Sequence, residues 1–159
     1  MTVRTFSAVD LVDIYEVRAA IEPLATRLVA RERADVSPLD DRLDELKAAV
    51  AAGDASGAAM AEFGLHEELC RLSGNVQTYD AYHLLSGRAQ LALSLDNAGH
   101  KEMAESVAEH AQLAEVLRTA DEDTAAEHVR QHILGPAAGI LNLTIGPAQS
   151  RCQVPEICG

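Results

Sequence analysis

The stretch AEFGLHEELCRLSGN, residues 61–75, has the spacing of an amphipathic helix that ends at a glycine. Its apolar face includes Leu69 and Cys70. The opposite face carries Gly64, Glu67, Glu68 and Arg71. Two ionisable residues, Glu62 and His66, nevertheless fall on the apolar face. Buried ionisable groups cost free energy unless they are paired or coordinated, so these two positions point to a site inside the protein.

The rest of the chain has the same helical character, and six segments follow from periodicity and from start and stop signals. They span about residues 7–33, 37–53, 54–73, 76–96, 101–119 and 121–135. The predicted N-caps include Ser7, Ser37 and Asp54, and Gly74 is the predicted stop of the third helix. The expected fold class is therefore all-α, an antiparallel bundle of about six to seven helices with short loops.

Two prolines interrupt this pattern. Pro23 predicts a kink in the first helix unless a neighbour accommodates the lost hydrogen bond, and Gly135-Pro136 is expected to kink or end the sixth. Residues 8–145 are expected to form one helical domain. Residues 146–159 contain Gly146-Pro147 and are expected to form an irregular tail.

Composition limits the function classes. The chain has 159 residues, of which 48% are hydrophobic and only 3% aromatic, which suits one helical core. Its formal net charge of -12 repels phosphate backbones and argues against direct nucleic-acid binding by this chain. No apolar run is long enough for a membrane span, and residues 1–10 lack a secretory signal. Three cysteines without metal-type spacing predict a cytoplasmic location.

Further polar residues fall on core-facing positions of other helices. In the first helix Arg18 and Glu22 lie four residues apart, as expected for an intrahelical ion pair. Arg18 is equally suited to grip an anion, because its planar guanidinium matches a carboxylate. The fifth helix places His110 within an apolar stripe, and the sixth places His132 at the edge of another.

A single core-facing histidine is more often a hydrogen-bonded core residue than a metal ligand. Three histidines on three helices, His66, His110 and His132, together with the carboxylate of Glu62, are better explained by one divalent cation. Neutral imidazoles and a carboxylate suit Zn, Ni, Mn or Fe. The remaining histidines, His83, His100 and His128, are expected to lie outside the site.

Three segments resemble one known family. They are DLVDIYEVRAAIEPLATRLVARE at residues 10–32, EFGLHEELCRLSGN at 62–75 and EHAQLAEVLRTADEDTAAEHVRQHI at 109–133. In this order they resemble the FadR C-terminal domain, the effector-binding and dimerisation domain of one branch of the GntR transcription regulators. The resemblance covers about residues 8–135, most of the chain.

The resemblance implies a set of functional residues. In metal-binding members an acid-x3-His pair and two later histidines hold the ion, which corresponds here to Glu62, His66, His110 and His132. The acid is usually Asp in the family, and Glu62 is one methylene longer. Two further residues, Arg18 and Asn75, correspond to positions that line the effector cavity. Asn75 equally fits a capping role after Gly74.

The implied function is sensing. A metal and Arg18 would bind a small carboxylate effector, and a homodimer would pass the signal to DNA through a winged helix-turn-helix. That DNA-binding domain is absent from this sequence, and residues 1–7 are expected to be a remnant of the linker to it. Two alternatives remain open: a metal-dependent enzyme in a helical bundle, or a metal that is purely structural. No residue presents itself as a dedicated general base, so no catalytic residue is assigned.

Overall fold

The structure is a computed structural model that describes the backbone of residues 8–94 and 100–144, and the side chains of residues 9–88, 90 and 104–135. The predicted N-cap Ser7, the predicted linker remnant at 1–7 and the predicted tail at 146–159 lie outside the described residues. The side chain of His100 is also outside them.

Six α-helices follow one another in the described ranges, which confirms the all-α prediction. They are α1 Ala8–Glu32, α2 Pro38–Ala51, α3 Ala55–Leu72, α4 Val76–Ser94, α5 His100–Thr119 and α6 Glu122–Thr144. None of these helices combines the length and the apolar character needed to cross a membrane.

The ends of α3 agree with the predicted signals. The Asp54 carboxylate accepts a hydrogen bond of 2.9 Å from the backbone N–H of Gly57, and Gly74 has a φ of 68°. The predicted cap of α2 is wrong in detail, because the Ser37 side chain makes no capping hydrogen bond. Instead Asp35 accepts a hydrogen bond of 2.9 Å from the backbone N–H of Ser37.

Neither proline ends its helix. Pro23 lies inside α1, and α6 continues through Pro136 to Thr144. A proline within a helix removes one hydrogen bond and costs about 3 kcal/mol, so packing has to offset it. For Pro23 that packing is visible, because the residue is buried and α1 makes its most extensive contacts with α6.

The bundle is arranged around α1, which contacts α3, α4, α5 and α6, while α2 packs on α3 and α5. Two groups of buried residues form the core, and α3 contributes to both of them. Leu65 and Leu69 belong to the larger group, whereas Phe63 and Cys70 belong to the smaller. His66 is buried on the helix that joins the two parts of the core.

Candidate metal centre

Three imidazole rings meet between α3, α5 and α6. Nε2 of His66 lies 3.2 Å from Nε2 of His110 and 3.3 Å from Nε2 of His132. His66 and His110 are only 3% and 4% exposed, and His132 is mostly buried. The three ligand nitrogens all lie within 4.8 Å of one another. The three helices therefore face each other at this point of the bundle.

Hydrogen bonds at Nδ1 determine which nitrogen carries the proton in two of the three rings. Nδ1 of His66 lies 2.6 Å from the carboxylate of Glu22, and Nδ1 of His110 lies 2.8 Å from the carbonyl oxygen of Ser106. Both partners are acceptors, so both Nδ1 atoms carry the proton and donate it. The Nε2 atoms of these two rings consequently present lone pairs toward each other.

This donor set fits a divalent cation. Imidazole nitrogens bind zinc at about 2.0–2.1 Å, which for angles of roughly 90–110° places neighbouring nitrogens about 2.9–3.4 Å apart. The observed separations of 3.2 and 3.3 Å fall in that range. Facing lone pairs also repel each other unless a cation or a proton lies between them. His132 can supply such a proton to His66. Its Nδ1 lies 3.7 Å from Glu109, beyond hydrogen-bond distance, so that contact does not fix its tautomer.

Burial keeps two of the three rings neutral. It lowers the pKa of His66 to about 4, although the neighbouring carboxylate of Glu22 acts in the opposite direction. The pKa of His132 falls to about 2, first because of burial and then because of the nearby His66 and His110. Neutral imidazole is the form that binds a metal, so near pH 7 no proton has to leave these two rings first.

The pKa of His66 predicts a pH dependence of stability in the metal-free protein. The ordinary value is 6.5 and the folded value about 4, so the unfolded chain binds more protons in the window between them. Stability is therefore complete above pH 6.5 and is lost as the pH falls toward 4. From His66 alone we expect a loss of about 2 kcal/mol between about pH 7 and pH 5.

Urea unfolding of EDTA-treated protein at several pH values measures this loss. His66→Asn is the comparison, because it removes the titrating ring and should flatten the slope in that window. Equal slopes for the two proteins would contradict the assignment.

Glu62, the fourth predicted ligand, lies beside this group. Its carboxylate accepts a hydrogen bond from the Ser106 hydroxyl, and that hydroxyl oxygen is 3.1 Å from Nδ1 of His110. The ligand atoms that converge within 4.8 Å belong to the three histidines alone among the described residues. Coordination by Glu62 stays a prediction. In this arrangement its carboxylate binds Ser106 of α5, one turn before His110.

Arg18 is buried beside the same centre. Its Nε donates a hydrogen bond of 2.6 Å to Glu22, which confirms the predicted intrahelical ion pair. The guanidinium carbon lies 5.0 Å from the ring centre of Tyr15, 5.2 Å from that of Phe63 and 5.5 Å from that of Tyr82. Three of the chain's five Phe and Tyr residues thus surround one cation. Burial acts to lower the pKa of Arg18, but the carboxylate of Glu22, followed by Tyr82 and Tyr15, raises it.

Asn75, the other predicted effector contact, caps α4. Its side-chain oxygen accepts hydrogen bonds of 3.0 and 3.2 Å from the backbone N–H groups of Gln77 and Thr78. The capping alternative is therefore observed, and the effector-binding role of Asn75 stays a prediction.

The structure corrects or extends the predictions for other polar residues. Glu68, expected on the solvent face, is only 8% exposed and accepts hydrogen bonds of 3.0 Å from Nε of Arg71. His83 lies outside the site as expected and contacts the carboxylate of Glu67. His128 is half-buried and lines a groove of about 360 Å³ between α5 and α6 with His132.

Two residues of the centre were missed from the sequence. Glu22 was assigned only to Arg18, and its contact to His66 spans 44 positions of the chain. Ser106 had a weak signal, since it lies four residues before His110 on the same helix.

Comparisons with known proteins agree with this architecture. A comparison with curated proteins found no significant match. Among solved structures, a GntR transcriptional regulator from Rhodococcus sp. RHA1 superposes with a TM-score of 0.78 at 18% identity, over 88% of this chain and 68% of that one. At that identity the likeness concerns the fold alone. The FCD domain family matches residues 13–135, most of the sequence, and the chain therefore belongs to the FCD domain family.

Proposed function

We propose that this chain is the ligand-sensing domain of a GntR/FadR-type transcription regulator, which binds a divalent metal and a small carboxylate effector. The convergence of the His66, His110 and His132 Nε2 atoms supports this most directly. The buried Arg18, linked through Glu22 to the same centre, supports the anionic character of the effector.

In this proposal, different residues of the chain bind the metal and the effector. His66, His110 and His132 would hold the ion through Nε2. When bound, the divalent ion supplies positive charge and coordination positions for a carboxylate oxygen. Three neutral imidazoles, even together with the carboxylate of Glu62, leave the site with net positive charge, which favours an anionic guest. Arg18 uses Nε for Glu22, and its guanidinium has further N–H donors for a charge-assisted contact with the guest.

The effector would act by shifting a conformational equilibrium of the bundle. Such a shift is limited to the difference in effector affinity between the two arrangements, typically about 1–3 kcal/mol. In a homodimer the two arrangements would place attached winged helix-turn-helix domains at different separations, which changes their fit to a pseudo-palindromic operator.

Metal analysis is the first test. Untagged protein, dialysed and then equilibrated with Zn, Ni or Mn, is expected to hold about one ion per chain. His110→Ala should reduce this to near zero, because it removes one of three ligands. His83→Ala is the matched control, since His83 is an exposed histidine outside the centre. A wild-type protein that takes up no ion under any of these conditions would overturn the metal assignment.

The effector is tested on the metal-loaded protein with small mono- and dicarboxylic acids. Carboxylates that bind are expected to raise the Tm of loaded protein more than that of EDTA-treated protein, because only the loaded centre attracts them fully. Recovery of the acid unchanged supports a sensor. Conversion of the acid would instead show an enzyme, and a bound ion with no response to any acid would show a structural metal.

A further inference from the structure

Glu22 makes contacts on two sides at once. It is 0% exposed, and its two carboxylate oxygens have different partners. Oε1 accepts a hydrogen bond of 2.6 Å from Nε of Arg18, while Oε2 lies 2.6 Å from Nδ1 of His66. Its backbone oxygen additionally accepts a hydrogen bond of 2.8 Å from the Thr26 hydroxyl. One carboxylate thus joins the buried cation of α1 to a ring of the three-histidine group.

The geometry determines what Glu22 does for His66. An imidazole with its Nδ1 proton bound by a carboxylate is held in one tautomer and one ring orientation, and its Nε2 becomes the more basic nitrogen. In this chain that nitrogen faces His110 and His132. The orientation of His66 is therefore set from α1, whereas the ring itself belongs to α3.

The geometry also determines what holds Glu22. A carboxylate that is removed from water requires compensating charge or hydrogen bonds, and Arg18 supplies both. Arg18 is in turn surrounded by the rings of Tyr15, Phe63 and Tyr82. A contact that draws on the charge of Arg18 would weaken its attraction for Glu22 and leave that carboxylate a stronger acceptor for His66.

We propose that Glu22 is a positioning residue that fixes His66 for metal binding and couples the metal centre to Arg18. This inference rests on the proposed function, since it assigns a role within the same site.

Two variants test this role through zinc affinity, measured by competition with a chelator. Glu22→Gln removes the charge and leaves one amide oxygen for two donors, Arg18 and His66. The double variant Arg18→Met with Glu22→Met removes the acceptor, leaves the net charge unchanged and replaces a buried pair with apolar side chains of similar size, which is well tolerated. We expect zinc affinity to fall about 10–100-fold in the double variant. Glu22→Gln should lower it as well, because its one amide oxygen serves only one of the two donors and the charge of Arg18 is left unpaired. Because net charge is conserved, a loss in the double variant reports the hydrogen bond.

The tautomer of His66 provides a second measurement that needs no metal. In ¹⁵N NMR of the EDTA-treated protein, His66 is expected as the Nδ1–H tautomer in the wild type and as a mixture or the Nε2–H form in the double variant. Thr26→Val is the matched control, because it removes the other hydrogen bond at Glu22 and retains both carboxylate contacts. This control is expected to bind zinc within about twofold of the wild type.

The proposal would be overturned by wild-type zinc affinity in the double variant, or by an unchanged His66 tautomer there. An equal loss of affinity in Thr26→Val would overturn it as well, by showing a general packing effect. If the wild type binds no metal, the proposed function fails, and the tautomer measurement still decides whether Glu22 positions His66.

Discussion

Arg18→Met is expected to lower the free energy of unfolding by about 3–5 kcal/mol at neutral pH. Arg18 and Glu22 are 3% and 0% exposed and are joined at 2.6 Å. Methionine fills most of the vacated volume but leaves the Glu22 carboxylate buried without its cation. The cost is therefore electrostatic rather than a packing loss, and it should shrink in acid, where Glu22 takes up a proton.

Urea unfolding of the metal-free protein measures the effect, and the chain offers a matched control. Arg31 makes an ion pair of 3.0 Å with Glu122, but both partners are substantially exposed. Arg31→Met is expected to cost no more than about 1 kcal/mol, as exposed ion pairs usually do. Restoring neutrality with the additional Glu22→Met change should recover most of the loss. A loss in Arg18→Met no larger than in Arg31→Met would contradict this account of the pair.

The second large effect is expected in the core near the three-histidine group. Leu69 is fully buried, lies on α3 one turn beyond His66 and belongs to the larger core group. Leu69→Ala should lower the free energy of unfolding by about 2–5 kcal/mol, since it removes buried methyl groups and leaves a cavity. Alanine is itself a good helix former, so helix propensity does not add to the cost.

Leu84→Ala is the control for this substitution, because Leu84 on α4 is 72% exposed. Surface changes of this kind usually remain within about 0.5 kcal/mol. Thermal and urea unfolding of both variants side by side measure the difference. Comparable losses in the two proteins would show that Leu69 is not part of a well-packed core.

Much of the helical architecture could be predicted because its signals are local. The α3 boundaries at Asp54 and Gly74 depend on capping and on a positive φ within a few residues. The continuation of α6 through Gly135-Pro136 could not be predicted this way. Whether a proline ends a helix depends on the tertiary packing that offsets one lost hydrogen bond, and the sequence window does not contain that packing.

The candidate site, too, could be predicted only where its features follow from helical spacing. Helical spacing alone places His66, His110 and His132 on core-facing positions, because the direction of a side chain follows from its position in the turn. The Arg18–Glu22 pair is also local, since residues four apart are neighbours on a helix. Glu68 is the exception, because a position off the apolar face is buried here.

The sequence by itself determined the helices and the inward positions of the ionisable residues, since both depend on hydrogen bonds and spacings within one or two turns. Only the tertiary structure decided which of those residues meet. It brought three rings from α3, α5 and α6 to separations of 3.2 and 3.3 Å, placed Glu22 on His66 and left Glu62 with Ser106. Such contacts depend on how whole helices rotate and slide against each other, and packing of the entire core sets that arrangement.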